Sequence, residues 1–439
     1  MRCKWKLILL LAAVVLLFSG CSMNAVGDLY SLPKRSDKYT NLQSLVEAAM
    51  TGREYCAPLT GENQQTMQTV DLDGDRVDEY LLFAKDSSDK PLKIFVFSGS
   101  KGEYQLTHTI ENAGASFDQV EYVQLDGKPG YEIVVGCQLS DSLDGSVSVY
   151  AMKDQQIEQV MTADYTEFLC CDLSADGMTD VFVLHTGETG VGVAAAYSMQ
   201  DGQMERSQEV NMSEPSAHIK RILFGRLDDG VRAVYVASSV SGGDGIITDV
   251  YALIHGQLTN VSLSNESGTS VQTLRNHYIY ADDIDSDGVL ELPSLINTRS
   301  VGAVESNTDS YIIRWYAMRS DGTEVDKVYT YHNFVGGWYV ELNGELAERY
   351  IIEQKGSSYE FSLWNEDFTE ADKLMTVFAL TGQKREEQAI VDNRFVLLRA
   401  ETVTYAASLE VASADYGMNQ EALIAAFHLI TKDWKTGET

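Results

Sequence analysis

Between residues 65 and 340 the apolar positions fall in short runs, not at helical spacing. Runs such as YLLFAK (80–85), EIVVGC (132–137), DVFVLH (180–185) and AVYVAS (233–238) are rich in β-branched and aromatic residues. A strand-like lead-in precedes each of the last three: FDQVEYVQ, YTEFLCC and IKRILFG, with HYIYAD opening a further unit. A polar turn such as KDSSDK or SLDGS follows, then a second run (PLKIFVFS, SVSVYAM, GVAAAYSM, TDVYALI), another turn and a weaker fourth run. Alternating short runs bounded by Gly, Asp and Ser predict antiparallel strands. The turn after the lead-in recurs, starting at Asp71, Gln124, Asp172, Arg226 and Asp283, at intervals of 53, 48, 54 and 57 residues. A period near fifty with four strands per unit predicts a mainly β repeat fold. We expect a β-propeller of five to seven blades, some degenerate, over residues 40–335. A β-sandwich or a β-solenoid is the other way to arrange so many strands.

The pattern changes at both ends of this stretch. Leu42, Leu45, Val46, Ala49 and Met50 recur every three or four residues, which predicts an amphipathic helix over 40–52 with a glycine stop. It would pack beneath the repeat domain or close a gap in it. After Asn297 the period fades, and SYIIRWYAM onwards reads as an incomplete further blade. Residues 336–439 are expected to form a small α+β domain. Its strands are SSYEFSLWN, LMTVFALTG and RFVLLRAETVTYAASLEV; its terminal helix is NQEALIAAFHLITKDW, with Asn419 as N-cap and Leu423, Phe427 and Ile430 on one face. Trp338, Tyr339, Tyr359 and Trp364 suit either core packing or a sugar-stacking surface.

The first twenty residues carry an address. Arg2, Lys4 and Lys6 precede twelve apolar residues, Leu7–Phe18, and then small residues before Cys21. That order marks an export signal, too short to span a bilayer as a helix. LFSGC also resembles the lipobox of bacterial lipoproteins. The resemblance implies cleavage after residue 20, lipidation of Cys21, a polar tether over 21–39 and a place on the extracytoplasmic face of the cell membrane. An ordinary cleaved signal is the alternative. Several acyl chains on one residue anchor far better than one.

Charge sharpens this picture. The chain has 33 basic and 65 acidic residues. Loss of the signal would leave 30 against 65. Such a surface disfavours nucleic acid and invites divalent cations or basic partners. Cys56, Cys137, Cys170 and Cys171 show no metal-type spacing and read as small apolar residues.

The acidic turns carry the chemistry. Asp71, Asp73, Asp75 and Glu79 alternate around a tight bend, and the Val77 carbonyl falls at the seventh position. Oxygens so spaced converge on one point, where calcium takes six to eight of them. Without a cation, four such carboxylates repel. Asp283, Asp285, Asp287, the Val289 carbonyl and Glu291 repeat the set. Asp172, Ser174, Asp176, the Met178 carbonyl and Asp180 repeat it in part, as a possible third site. The second turn has Lys128 at the fifth position, and the fourth starts with Arg226 in a loop one residue shorter. The alternative for all of them is a plain Asp-Gly turn in which side chains cap the backbone. These turns resemble the FG-GAP and VCBS repeats of integrin-like β-propellers over about residues 66–295, as found in uncharacterised clostridial-type lipoproteins. The resemblance implies structural calcium.

Catalytic signatures are missing from the sequence. The seven histidines include no HExxH and no pair four apart; there is no nucleophile elbow and no P-loop. The expected role is a binding or scaffolding module with a protein or glycan ligand at the cell envelope. The alternative is an extracytoplasmic hydrolase or lyase acting on a polysaccharide or other envelope substrate.

Overall fold

The computed structural model describes residues 37–100, 103–139, 144–299 and 306–430. The export signal, Cys21 and most of the tether lie outside the described residues. Six antiparallel sheets follow one another along the chain. The first contains Met67–Val70, Glu79–Lys85, Leu92–Ser100 and Glu103–Asn112, with Glu54–Tyr55 added at one side. The second contains Ser116–Val123, Glu132–Gln138, Gly145–Lys153 and Gln156–Tyr165. The third is built on Glu167–Cys171, Asp180–Thr186, Gly192–Gln200 and Gln203–Arg206, and the fourth on Ile219–Arg226, Arg232–Ser239, Ile246–Ile254 and Gln257–Asn260. In these four, every acidic turn joins the first long strand to the second.

Each sheet presents apolar side chains on both faces, so each needs two covers. Leu81, Phe83, Ile94 and Val96 of the first sheet pack on Phe117, Val120, Ile133 and Val135 of the second. Val134, Val147 and Val149 turn the other way, onto Phe168, Val181 and Val183 of the third. Phe182 and Leu184 then meet Val234, Val236 and Tyr251 of the fourth, whose opposite face, Ala233, Tyr235 and Val250, meets Leu292, Tyr316 and Met318 of the fifth. Each such buried Leu, Ile or Phe contributes roughly 1.5–3 kcal/mol. The two-residue alternation thus turns one strand into a link between two cores.

Helix α1, Asp37–Ala49, covers the outer face of the first sheet. Its Leu42 and Ala49 pack on Leu82, Ala84, Phe95, Phe97 and Tyr104. It starts three residues before the expected boundary. Asn41 Oδ1 accepts the Tyr104 N–H at 2.7 Å and fixes the helix on the sheet.

The fifth sheet departs from the expected unit. HYIYAD is not a strand; the β-pairing of 275–282 is confined to single bridges, Ile246 to Arg275 and Asp282 to Glu291. The sheet runs Leu292–Arg299, Ser306–Met318, Glu324–Asn333 and Trp338–Leu342, and Phe427–Leu429 returns to pair with the last of these. It therefore spans the boundary expected at residue 336. The expected terminal helix stops at Ala425: α3 covers Gln420–Ala425, with Asn419 Oδ1 capping the Ala422 N–H at 2.9 Å. Phe427 instead opens an edge strand, Phe427–Leu429, because the open side of Trp338–Leu342 supplies hydrogen bonds and an aromatic core, and Ile430 follows just beyond it. The sixth sheet holds Tyr350–Lys355, Ser358–Trp364, Ala371–Thr381, Phe395–Arg399 and Val403–Leu409, with a short α2, Arg385–Gln388, beside it. Trp338, Tyr339 and Tyr359 are buried, so they serve the core.

Candidate metal centres

Register explains why the acidic residues meet. Glu79 pairs with Val70, Glu132 with Val123 and Asp180 with Cys171, each as the first strand residue after its turn. Glu291 holds the same place, bridged to Asp282. Each carboxylate then reaches back across the turn. Glu79 accepts the N–H of Leu72 (2.9 Å), Glu132 that of Leu125 (2.8 Å), Asp180 that of Ser174 (2.8 Å) and Glu291 that of Ile284 (3.0 Å). This lock is a role the sequence reading missed; a signal for it was the acidic residue at the end of four turns. The fourth turn places Ala233 at that register, opposite Gly225, and so has no acid there. It is one residue shorter than the others, as expected, since seven residues separate the pair 225–233 and eight the pair 70–79.

Two turns gather three carboxylates. Oxygens of Asp71, Asp73 and Glu79 lie within 4.8 Å of one another, and so do those of Asp283, Asp285 and Glu291. That spacing suits ligands ~2.3–2.6 Å from a shared ion. Asp75 and Asp287 do not join the clusters. Each accepts the N–H two residues on, from Val77 (2.7 Å) and Val289 (2.8 Å). The backbone bends through left-handed residues at the fourth and sixth positions: Gly74 (φ 75°) and Arg76 (φ 69°), then Ser286 (φ 63°) and Gly288 (φ 82°). These alternating left-handed residues make the bend tight.

The interior of the fifth turn fits a cation. Glu291 is fully buried, and its Oε1 and Asp283 Oδ1 are buried without a hydrogen-bond partner. Leaving buried anionic oxygens unsatisfied is costly. Burial first, and then the charges of Asp285, Asp287 and Asp283, push the Glu291 carboxyl up to about 8 against the Ile284 N–H. Burial and the charges of Asp73, Asp75 and Asp71 push Glu79 up to about 7 against the Leu72 N–H. A bound ion would take the place of those protons, so metal uptake here is coupled to proton release.

The third turn is occupied differently. Arg232 of the fourth sheet ion-pairs with Asp172 and also donates to its carbonyl at 2.7 Å. Asp172 accepts the N–H groups of Asp176 and Gly177, Asp176 accepts that of Met178, and Asp180 accepts the Ser198 hydroxyl. Among the described residues, Asp172, Asp176 and Asp180 form no three-carboxylate cluster. In the second turn Lys128 pairs with Asp126 at 2.6 Å. An open groove of about 750 Å³ beside the fifth sheet contains Asp326 and Glu341. Arg314 and Tyr329 hold the first, and His428 holds the second.

No protein-family model matches the chain. No curated protein matches it. Among solved structures, a Chaetomium thermophilum Sqt1 bound to the N-terminus of ribosomal protein L10 is 12% identical, with a TM-score of 0.32, over 77% of this chain and 95% of that one. The exotype rhamnogalacturonan lyase YesX is 12% identical, with a TM-score of 0.26, over 74% and 72% of the two chains. The rhamnogalacturonan lyase YesW is 14% identical, with a TM-score of 0.26, over 72% and 74%. These likenesses are too loose to place the chain in a family or to lend it an activity.

Proposed function

We propose that this chain is a lipid-anchored, extracytoplasmic module of the β-propeller type, whose first and fifth blade turns hold structural calcium and whose surface binds or scaffolds a protein or glycan at the cell envelope. The observation that carries the reading is the pair of three-carboxylate clusters at equivalent turns, one of which encloses buried oxygens without hydrogen-bond partners. Serial packing of the sheets supports the propeller, with helix α1 covering the free face of the first blade. The LFSGC sequence supports the anchor and Cys21 as its site. Calcium suits the address because extracellular modules bind it at about 10⁻⁴–10⁻³ M.

Atomic emission on the chain equilibrated with calcium should count two ions, and one in each of Asp73→Ala and Asp285→Ala. Chelation should lower the Tm of the unaltered chain. Unchanged stoichiometry in both variants would sink the assignment. Capture of envelope components with and without calcium then reads the binding role, while loss of lipid labelling in Cys21→Ala reads the anchor.

A further inference from the structure

The two carboxylate clusters match in sequence but differ in what holds their third aspartate. In the first turn Asp75 Oδ1 accepts the Val77 N–H, and no ion pair to Asp75 is found among the described residues. In the fifth turn both oxygens of Asp287 are engaged. Oδ1 accepts the Val289 N–H at 2.8 Å, and Oδ2 receives Lys327 Nζ at 3.0 Å. The Lys327 side chain is only 18% exposed, and its ammonium lies 3.1 Å from Asp228 Oδ1 of the fourth turn. Arg319 holds the same Asp228 at 2.8 Å. Asp287 is therefore tied through Lys327 to the neighbouring sheet. The ammonium does not satisfy the cage itself: Glu291 Oε1 and Asp283 Oδ1 remain without hydrogen-bond partners in the buried interior. A positive charge beside the cage opposes a divalent ion, and a ligand held elsewhere cannot contribute to it.

We infer that Lys327 sets the affinity of the fifth-turn site by withholding Asp287 from the ion, which makes the two sites unequal. This rests on the calcium reading of the turns. The first turn fills at lower calcium than the fifth, and full occupancy of the fifth competes with the Asp287–Lys327–Asp228 link between two sheets.

Calorimetric titration of the full chain with calcium chloride tests this. Asp285→Asn leaves only the first site to be read, and Asp73→Asn only the fifth. The fifth site should bind on the order of tenfold more weakly than the first. Adding Lys327→Gln to Asp73→Asn should tighten the fifth site by about three- to tenfold, whereas Lys327→Arg should not. With Lys327 present, Asp287→Asn should leave the fifth site nearly unchanged; with Lys327→Gln it should abolish the gain. Thermal melts in chelator show which variants fold, and if Lys327→Gln does not, the single change Asp287→Asn carries the test. Lys327→Gln that folds without tightening the site overturns the inference. So does Asp287→Asn that weakens the fifth site as much as Asp75→Asn weakens the first. Absence of calcium uptake at either turn of the unaltered chain overturns the calcium reading itself.

Discussion

At the scale of single residues, burial decides charge. His332 is 6% exposed and lies among the rings of Trp315, Phe334 and Tyr339, the last 4.8 Å away. Burial pulls its pKa down to about 3. The folded chain therefore keeps this ring neutral where the unfolded chain protonates it, near 6.5. Because the folded value is the lower one, its contribution is complete above about 6.5 and is lost as pH falls toward 3. The slope is at most ~1.4 kcal/mol per pH unit. Most carboxylates titrate below this range, so the window from pH 6.5 to 5 is the informative one. Urea midpoints of the unaltered chain should fall across it more steeply than those of His332→Phe. Parallel slopes would contradict the assignment. Nothing in the sequence around His332 distinguished it from the other six histidines, since its neighbours come from sheet pairing.

At the scale of elements, the turns are fixed by one another as much as by their own residues. Gly74 and Gly177 both adopt left-handed backbone, with φ of 75° and 89°. A Cβ at Gly177 would meet nothing within 4 Å, whereas one at Gly74 would lie 2.5 Å from the Pro129 carbonyl carbon of the second turn. Gly177→Ala should thus cost about 1 kcal/mol, the strain of a side chain in that conformation. Gly74→Ala adds a clash with backbone and should cost about 1–3 kcal/mol more. Thermal melts of the two variants compare them directly; equal losses would mean that the first and second turns do not press on each other. The strands of the first four sheets were legible because alternation and turn residues agree. The fate of HYIYAD and FHLI was not. Both are apolar enough for a strand, but only the available sheet edge decides which one pairs.

At the scale of the whole molecule, the sheets are joined by shared cores in chain order. The core between the fifth and sixth sheets holds the fully buried Trp338, Tyr350 and Phe361, and Phe427 stacks on Trp338 at 5.4 Å. The last described residues therefore close a core begun about a hundred positions earlier. Phe427→Ala should cost about 3–5 kcal/mol, as large-to-small core changes do. Neighbour-only packing localises such damage. Hydrogen exchange should show lost protection in the fifth and sixth sheets while the first and second keep theirs. Uniform loss along the chain would point to one cooperative unit. The sequence placed the division between repeats and C-terminal region near 336, where the period ends. The sheet crosses that point because Trp338–Leu342 pairs with Glu324–Asn333.

Local chemistry in the sequence determined the strand-rich repeat, its period and the acidic turns, because alternation, glycine and aspartate act over a few residues. It also named three of the side chains that converge in each of two turns: Asp71, Asp73 and Glu79, then Asp283, Asp285 and Glu291. Tertiary structure decided which acids are free to converge. Arg232 reaches Asp172 across sixty positions and Lys327 reaches Asp287 across forty. Such pairings depend on which sheets lie side by side, and spacing along the chain carries no record of that.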